Sequence, residues 1–184
     1  YSRQLNVQRV GIIGQSFGAY TSLALAGAPL NFSNLETACK QLDDSLNVSL
    51  ILQCLGLKIP KLNYNFQDRR IVAAIAINPL TSGFFGQESL SKIKIPTMII
   101  SGSDDPITPA LTEQIEPFTW LTTKDKYLAV LQNGTHFSTL GVSSSGEDIA
   151  FPAEVIGPDP TVAQTYLKAI SLAFFESYIM GNSE

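Results

Sequence analysis

A serine between two glycines, Gly14-Gln15-Ser16-Phe17-Gly18, lies directly after the apolar run Val10-Gly11-Ile12-Ile13 and directly before the helix-like Ala19-Tyr20-Thr21-Ser22-Leu23-Ala24-Leu25-Ala26. Strand, sharp turn and helix make the setting in which a serine hydroxyl is lifted clear of a sheet and becomes a nucleophile. The glycines are expected because side chains would collide in so tight a turn. By chance a G-x-S-x-G arises in about one chain of this length in twenty, so the partners of a nucleophile must be sought elsewhere. A hydroxyl needs a base to take its proton, and the base needs an acid to orient it and stabilise its charge. The chain has a single histidine, His136, in Gln132-Asn133-Gly134-Thr135-His136-Phe137, after the apolar run Tyr127 to Leu131. Carboxylates are offered by Ser101-Gly102-Ser103-Asp104-Asp105-Pro106-Ile107-Thr108-Pro109, after the apolar run Ile95 to Ile100. Each of the three groups follows the C-terminal end of a predicted strand, where open parallel sheets gather their chemistry. Taken singly, they read as a loop serine, a satisfied histidine and an aspartate turn. Together they are separated by 89 and 31 residues, room for several strand-helix units and then one.

The segments Gly14 to Gly18, Gly102 to Pro109 and Asn133 to Phe137 resemble the α/β-hydrolase superfamily, and within it the dienelactone-hydrolase-like and platelet-activating-factor-acetylhydrolase-like esterases. The resemblance covers most of the chain. It implies that Ser16 attacks an acyl carbon, that His136 takes the proton and returns it to the leaving group, and that Asp105 orients His136. Asp105 is preferred to Asp104 because the acid in this family stands immediately before a stretch such as Pro106-Ile107-Thr108-Pro109. The backbone N–H of Phe17 would be one oxyanion donor. The implied activity is serine esterase, lipase-like in kind, cleaving a small-molecule carboxylic ester through an acyl-enzyme. A non-catalytic hydrolase fragment that assembles with another chain is the alternative.

The resemblance also implies an α/β-hydrolase fold of which this chain holds the later strands, Val7 to Ile13, Ile71 to Ile77, Ile95 to Ile100 and Tyr127 to Leu131, with flanking helices. Residues 1–184 are read as one domain in which 29–70 is a cap insertion. Tyr1 to Leu5 reads as the tail of a preceding helix, so the early strands are expected from upstream polypeptide or another chain, along with a second oxyanion donor. The first strand would otherwise present an unpaired edge.

Leu35, Cys39, Leu42 and Leu46 recur at helical spacing, and Leu50, Ile51, Cys54 and Leu55 continue that face past a break near Asp43-Asp44-Ser45. Such helices either cover the sheet or form a lid over an apolar substrate. Asn78, Phe84 and Phe85 follow the strand ending at Ile77 and are candidate substrate-contacting residues, with ordinary core packing the competing reading for the two phenylalanines. Ser138 to Pro158, rich in Ser, Gly and Pro, reads as an irregular loop over the site. Asp159-Pro160 opens a closing helix with Tyr166, Ile170, Phe174 and Tyr178 on one stripe.

Composition excludes several classes. With 45% hydrophobic and 15% charged residues and a net charge of −4, the chain is globular and lacks the basic field of a nucleic-acid binder. No apolar stretch approaches the ~18–20 residues that span a bilayer. Two cysteines and one histidine are too few for a metal site, no P-loop or G-x-G-x-x-G is present, and no cofactor is expected. Cys39 and Cys54 are either a disulfide closing a helical hairpin or two buried thiols, with free thiols slightly favoured. Asn31, Asn47 and Asn133 each begin an N-x-Ser/Thr triplet, a pattern common by chance.

Overall fold

The computed structural model describes residues 6–42, 47–139 and 160–180. Four parallel strands, β1 (Val10–Gln15), β2 (Ile71–Ile77), β3 (Thr97–Gly102) and β4 (Lys126–Leu131), pair in the spatial order β1-β2-β3-β4. Each crossover carries helix: α1 (Phe17–Ala26), α2 (Phe32–Lys40) and α3 (Val48–Cys54) between β1 and β2, and α4 (Gly86–Leu90) between β2 and β3. A π-helical turn, Leu111–Ile115, runs into α5 (Glu116–Trp120) before β4, and α6 (Pro160–Phe175) with a further turn Glu176–Met180 follows it.

Strands covered on both faces read as continuous apolar runs, and β2, Ile-Val-Ala-Ala-Ile-Ala-Ile, is such a run. Alternation along the strands splits the core in two. Ala74, Ala76 and Ile99 face α1, whose Ala19, Leu23 and Ala24 are buried, together with Phe85, Leu90, Ile93 and Leu121. Ala73, Ile75, Ile77, Met98 and Ile100 face α6 through Phe174, with Ile170 and Tyr178 beside it. The expected stripe on that helix therefore holds except at Tyr166, which is exposed. The strand positions match the expected ones within three residues at each end.

The segment between α1 and β2 is anchored at several points. Asn31 and Asn47 cap α2 and α3 by accepting from Asn34 N–H and Leu50 N–H, each at 3.0 Å. Leu35 is fully buried while Ile51 and Leu55 are exposed, so the apolar face expected to continue into α3 turns away from the core after Leu50. The expected break at Asp43 to Ser45, Leu46, the helix tail at Tyr1 to Leu5 and nearly all of the loop after Ser138 lie outside the described residues. Cys39 and Cys54 form a disulfide with Cα atoms 5.8 Å apart, which corrects the expectation of free thiols. The reason is positional: α2 and α3 pack as a pair, and the two side chains meet across that contact.

Closing a 15-residue loop removes conformational freedom from the unfolded chain. Replacing both cysteines by serine is expected to lower stability by about 3 kcal/mol, read from the urea midpoint of the variant against the unreduced protein.

Candidate active site

β1 delivers Ser16 into a backbone conformation of φ 55° and ψ −120°, one that residues with a side chain rarely adopt. The turn is pinned at both sides: Ser16 N–H donates to Ile77 O at 2.9 Å, and Ser16 O accepts from Tyr20 N–H at 3.0 Å. Gly14 is required by the space available, since a Cβ there would lie 2.2 Å from Gly18 O. Gly18 is not, because a Cβ there would meet nothing within 4 Å, so the expectation that both glycines relieve collisions holds only for the first. The Ser16 side chain makes no hydrogen bond to the helix it caps. Phe17 is the first residue of α1, where backbone N–H groups have no intrahelical acceptor.

Asp105 and His136 are both buried and joined by a 2.7 Å contact between Oδ2 and Nδ1. Among the described residues, every other hydrogen bond to the Asp105 carboxylate comes from its own turn. Oδ1 accepts from Ile107 N–H and Thr108 N–H, each at 2.8 Å, and Oδ2 accepts from the Thr108 hydroxyl at 2.7 Å. Asp104 points elsewhere: it is exposed and accepts from Ser103 Oγ. The loop carrying His136 is held from behind. Its carbonyl accepts from Gln15 Nε2 at 2.5 Å and from Asn78 Nδ2 at 3.3 Å. Where β3 passes this loop, Gly102 permits contact, since a Cβ there would stand 2.4 Å from Gly134 O.

Gln15, Ser16, Ile107, His136 and Phe137 line one open pocket of about 380 Å³. Ser16 and His136 thus share a wall, and among the described residues no hydrogen bond joins the hydroxyl to the imidazole. Asn78, Phe84 and Phe85 are not on this wall. Asn78 is buried at φ 44°, its amide committed to Gly102 N–H and to the carbonyls of Thr135 and His136. Phe85 is fully buried and stacks on Tyr20 at 4.8 Å, and Phe84 packs edge-on to Phe32. Burial in this aromatic cluster raises the Tyr20 phenol above its ordinary range. All three belong to the segment between β2 and α4 and are buried there, and none of them lines the pocket at Ser16.

The sequence did not single out Gln15, Ile107, Thr108 or Phe137. Thr108 had a readable signal: an aspartate followed three residues later by threonine is a pattern in which the carboxylate caps its own turn. Gln15 had none, because its partner lies 121 residues away.

The parallel sheet, the turn at Ser16 and the loops at the strand ends define an α/β-hydrolase fold. Acylaminoacyl peptidase solved with Z-Gly-Gly-Phe-chloromethyl ketone superposes with a TM-score of 0.57 at 15% identity, covering 99% of this chain and 26% of that one. The uncomplexed Pyrococcus horikoshii acylaminoacyl peptidase gives 0.57 at 15% identity with the same coverage, and its orthorhombic form gives 0.54 at 14%. This chain therefore spans about a quarter of the length of those peptidases. No protein-family model matches the sequence, and the curated proteins hold no match to it. Among the described residues no helix is long and apolar enough to cross a membrane, and no three of His, Cys, Asp and Glu gather as a metal site.

Removing the Asn78 amide leaves Gly102 N–H and two carbonyls buried without it. Asn78→Ala is expected to cost about 1–3 kcal/mol, measured by urea unfolding, and to reduce any activity of the site through the loosened histidine loop.

Proposed function

We propose that this chain carries the catalytic groups of a serine hydrolase that cleaves carboxylic esters through an acyl-enzyme. The single observation behind this reading is the buried 2.7 Å contact of Asp105 with His136 beside the strained Ser16. In this reading Ser16 Oγ attacks the acyl carbon as its proton passes to His136 Nε2, the ring nitrogen left over once Nδ1 is turned to Asp105. The Asp105 carboxylate stabilises the imidazolium. The oxyanion is met by Phe17 N–H at the start of α1. The proton then goes from His136 to the alcohol oxygen as the C–O bond breaks. Water, deprotonated by the same imidazole, hydrolyses the acyl-enzyme and frees Ser16. Ile107 and Phe137 in the wall favour an apolar acyl or alcohol group. Ester is preferred to amide on the resemblance of the three motifs to esterases, although the fold neighbours named above are peptidases.

A second reading is supported by the free side of β1. Among the described residues β1 pairs only with β2, Ile13 and Phe17 are 45% and 54% exposed, and the space over Gly18 is open. An unpaired central-type strand is a template for further polypeptide. We infer that a segment of a longer chain, or another chain, covers this edge and brings a second oxyanion donor. If it comes from a separate chain, the present one is a component that is inactive by itself.

A fluorophosphonate probe is expected to label Ser16 when the covering polypeptide is present, and Ser16→Ala to abolish labelling. Asp105→Asn is expected to lower kcat by about 10³–10⁴ on esters of graded chain length, with the fold intact by circular dichroism. Absence of labelling in the complete protein would overturn the hydrolase reading.

A further inference from the structure

Glu113 is fully buried, and among the described residues no ion pair reaches it. A buried carboxylate without a cation is costly unless donors fill its lone pairs. Here neutral donors from two separate segments do so. From the loop after β2, Thr81 N–H and Ser82 N–H donate to Oε2 at 2.7 and 2.9 Å, and Ser82 Oγ donates to Oε1 at 2.6 Å. From the cap segment, Asn47 Nδ2 donates to Oε1 at 2.8 Å. The Thr81 hydroxyl also donates to Glu113 O at 2.5 Å.

Asn47 is the cap of α3, and the first turn of that helix does something further. Ser49 N–H donates to Ile107 O at 2.9 Å. The peptide group on the other side of Ile107 holds the acid, since Ile107 N–H donates to Asp105 Oδ1. Hydrogen bonds linked by short stretches of backbone therefore lead from Glu113 through Asn47 and the first turn of α3 to Ile107, then to Asp105 and His136. A second clamp runs parallel to it: Gln53, one turn further along α3, accepts from Gly83 N–H and Phe84 N–H at 3.0 Å. Helix α3 is thus bolted to the loop after β2 on one side and to the acid-bearing loop on the other.

Resting on the triad reading above, we propose that Glu113 is a positioning residue: it locks α3 against the acid-bearing loop and thereby sets the reach of Asp105 to His136. Apolar side chains could close this core without the desolvation of a carboxylate. What the carboxylate provides is one arrangement of several segments, because an acceptor facing donors on all sides is satisfied in a single register. In this view the α2–α3 segment is a fixed brace for the acid and not a swinging lid.

The test exploits polarity and the fact that His136 is the only histidine. Asn47→Asp keeps the oxygen that caps Leu50 N–H but turns the donor toward Glu113 into an acceptor. Glu113→Gln does the reverse, setting two donors face to face. In the double variant the new amide can donate to the new carboxylate, restoring the contact with donor and acceptor exchanged. The low-field imidazole Nδ1–H resonance of His136 reports the Asp105 contact without any need for activity. Each single variant is expected to shift or broaden that resonance and to lower kcat on a short-chain ester roughly 10- to 100-fold at unchanged KM, and the double variant to recover most of both.

Folded single variants that keep the resonance and kcat would overturn the proposal, as would a double variant no better than the two losses combined. Should Glu113→Gln fail to fold, Asn47→Asp alone decides by the resonance. The two readings fail separately. A shifted resonance with no probe labelling of unmodified Ser16 leaves the brace standing and removes the hydrolase, whereas labelling with an unmoved resonance does the opposite.

Discussion

The contact of Asp105 with His136 is the interaction around which the surrounding structure is organised. Two side chains 31 residues apart must meet while both are withheld from water, and no single local element can bring this about. The acid is held by its own turn, with two N–H groups and one hydroxyl converging on a single carboxylate. The imidazole is held through its backbone, where its carbonyl receives amides from Gln15 and Asn78. Because these amides come from the ends of β1 and β2, the position of the ring is tied to the strand register. A slip of one residue would turn every side chain to the opposite face and dismantle the contact.

That register rests on the apolar layers. Small residues in β2 let α1 lie close on one face, and the larger Ile75, Ile77 and Ile100 fill the space under α6 on the other. Asn78 then does at the strand end what hydrogen bonding does within the sheet, joining β2, β3 and the histidine loop through one side chain. Its left-handed backbone is a conformation asparagine tolerates better than most residues. The cost of burying so polar a group is met because each of its atoms has a partner.

The segment carrying α2 and α3 belongs to the same scheme. A surface lid would be expected to contact the core through few polar groups, so that it could leave. Here α2 donates from Asn34 to the carbonyls of Ser82 and Gly83, α3 engages Glu113 and Ile107, and the Cys39 to Cys54 disulfide couples the two helices. Ordering the segment strengthens the loops on which the site stands, so stability and geometry at the site are linked through the same hydrogen bonds.

The strands, the turn at Ser16 and the turn that Asp105 caps could be read from the chain because they rest on local chemistry. Apolar runs declare strands, a glycine marks a turn too tight for a Cβ, and an aspartate before Pro106-Ile107-Thr108 caps its own loop. Partnerships could not be read this way. That Gln15 and Asn78 serve the histidine carbonyl, that Phe84 and Phe85 are buried, that Glu113 joins Asn47 to the loop after β2 and that the cysteines are bonded all depend on residues brought together from different elements. Period and composition carry information over one element. Contacts between elements appear only when the whole chain has chosen a single packing, and that is where the polar groups of this site find their partners.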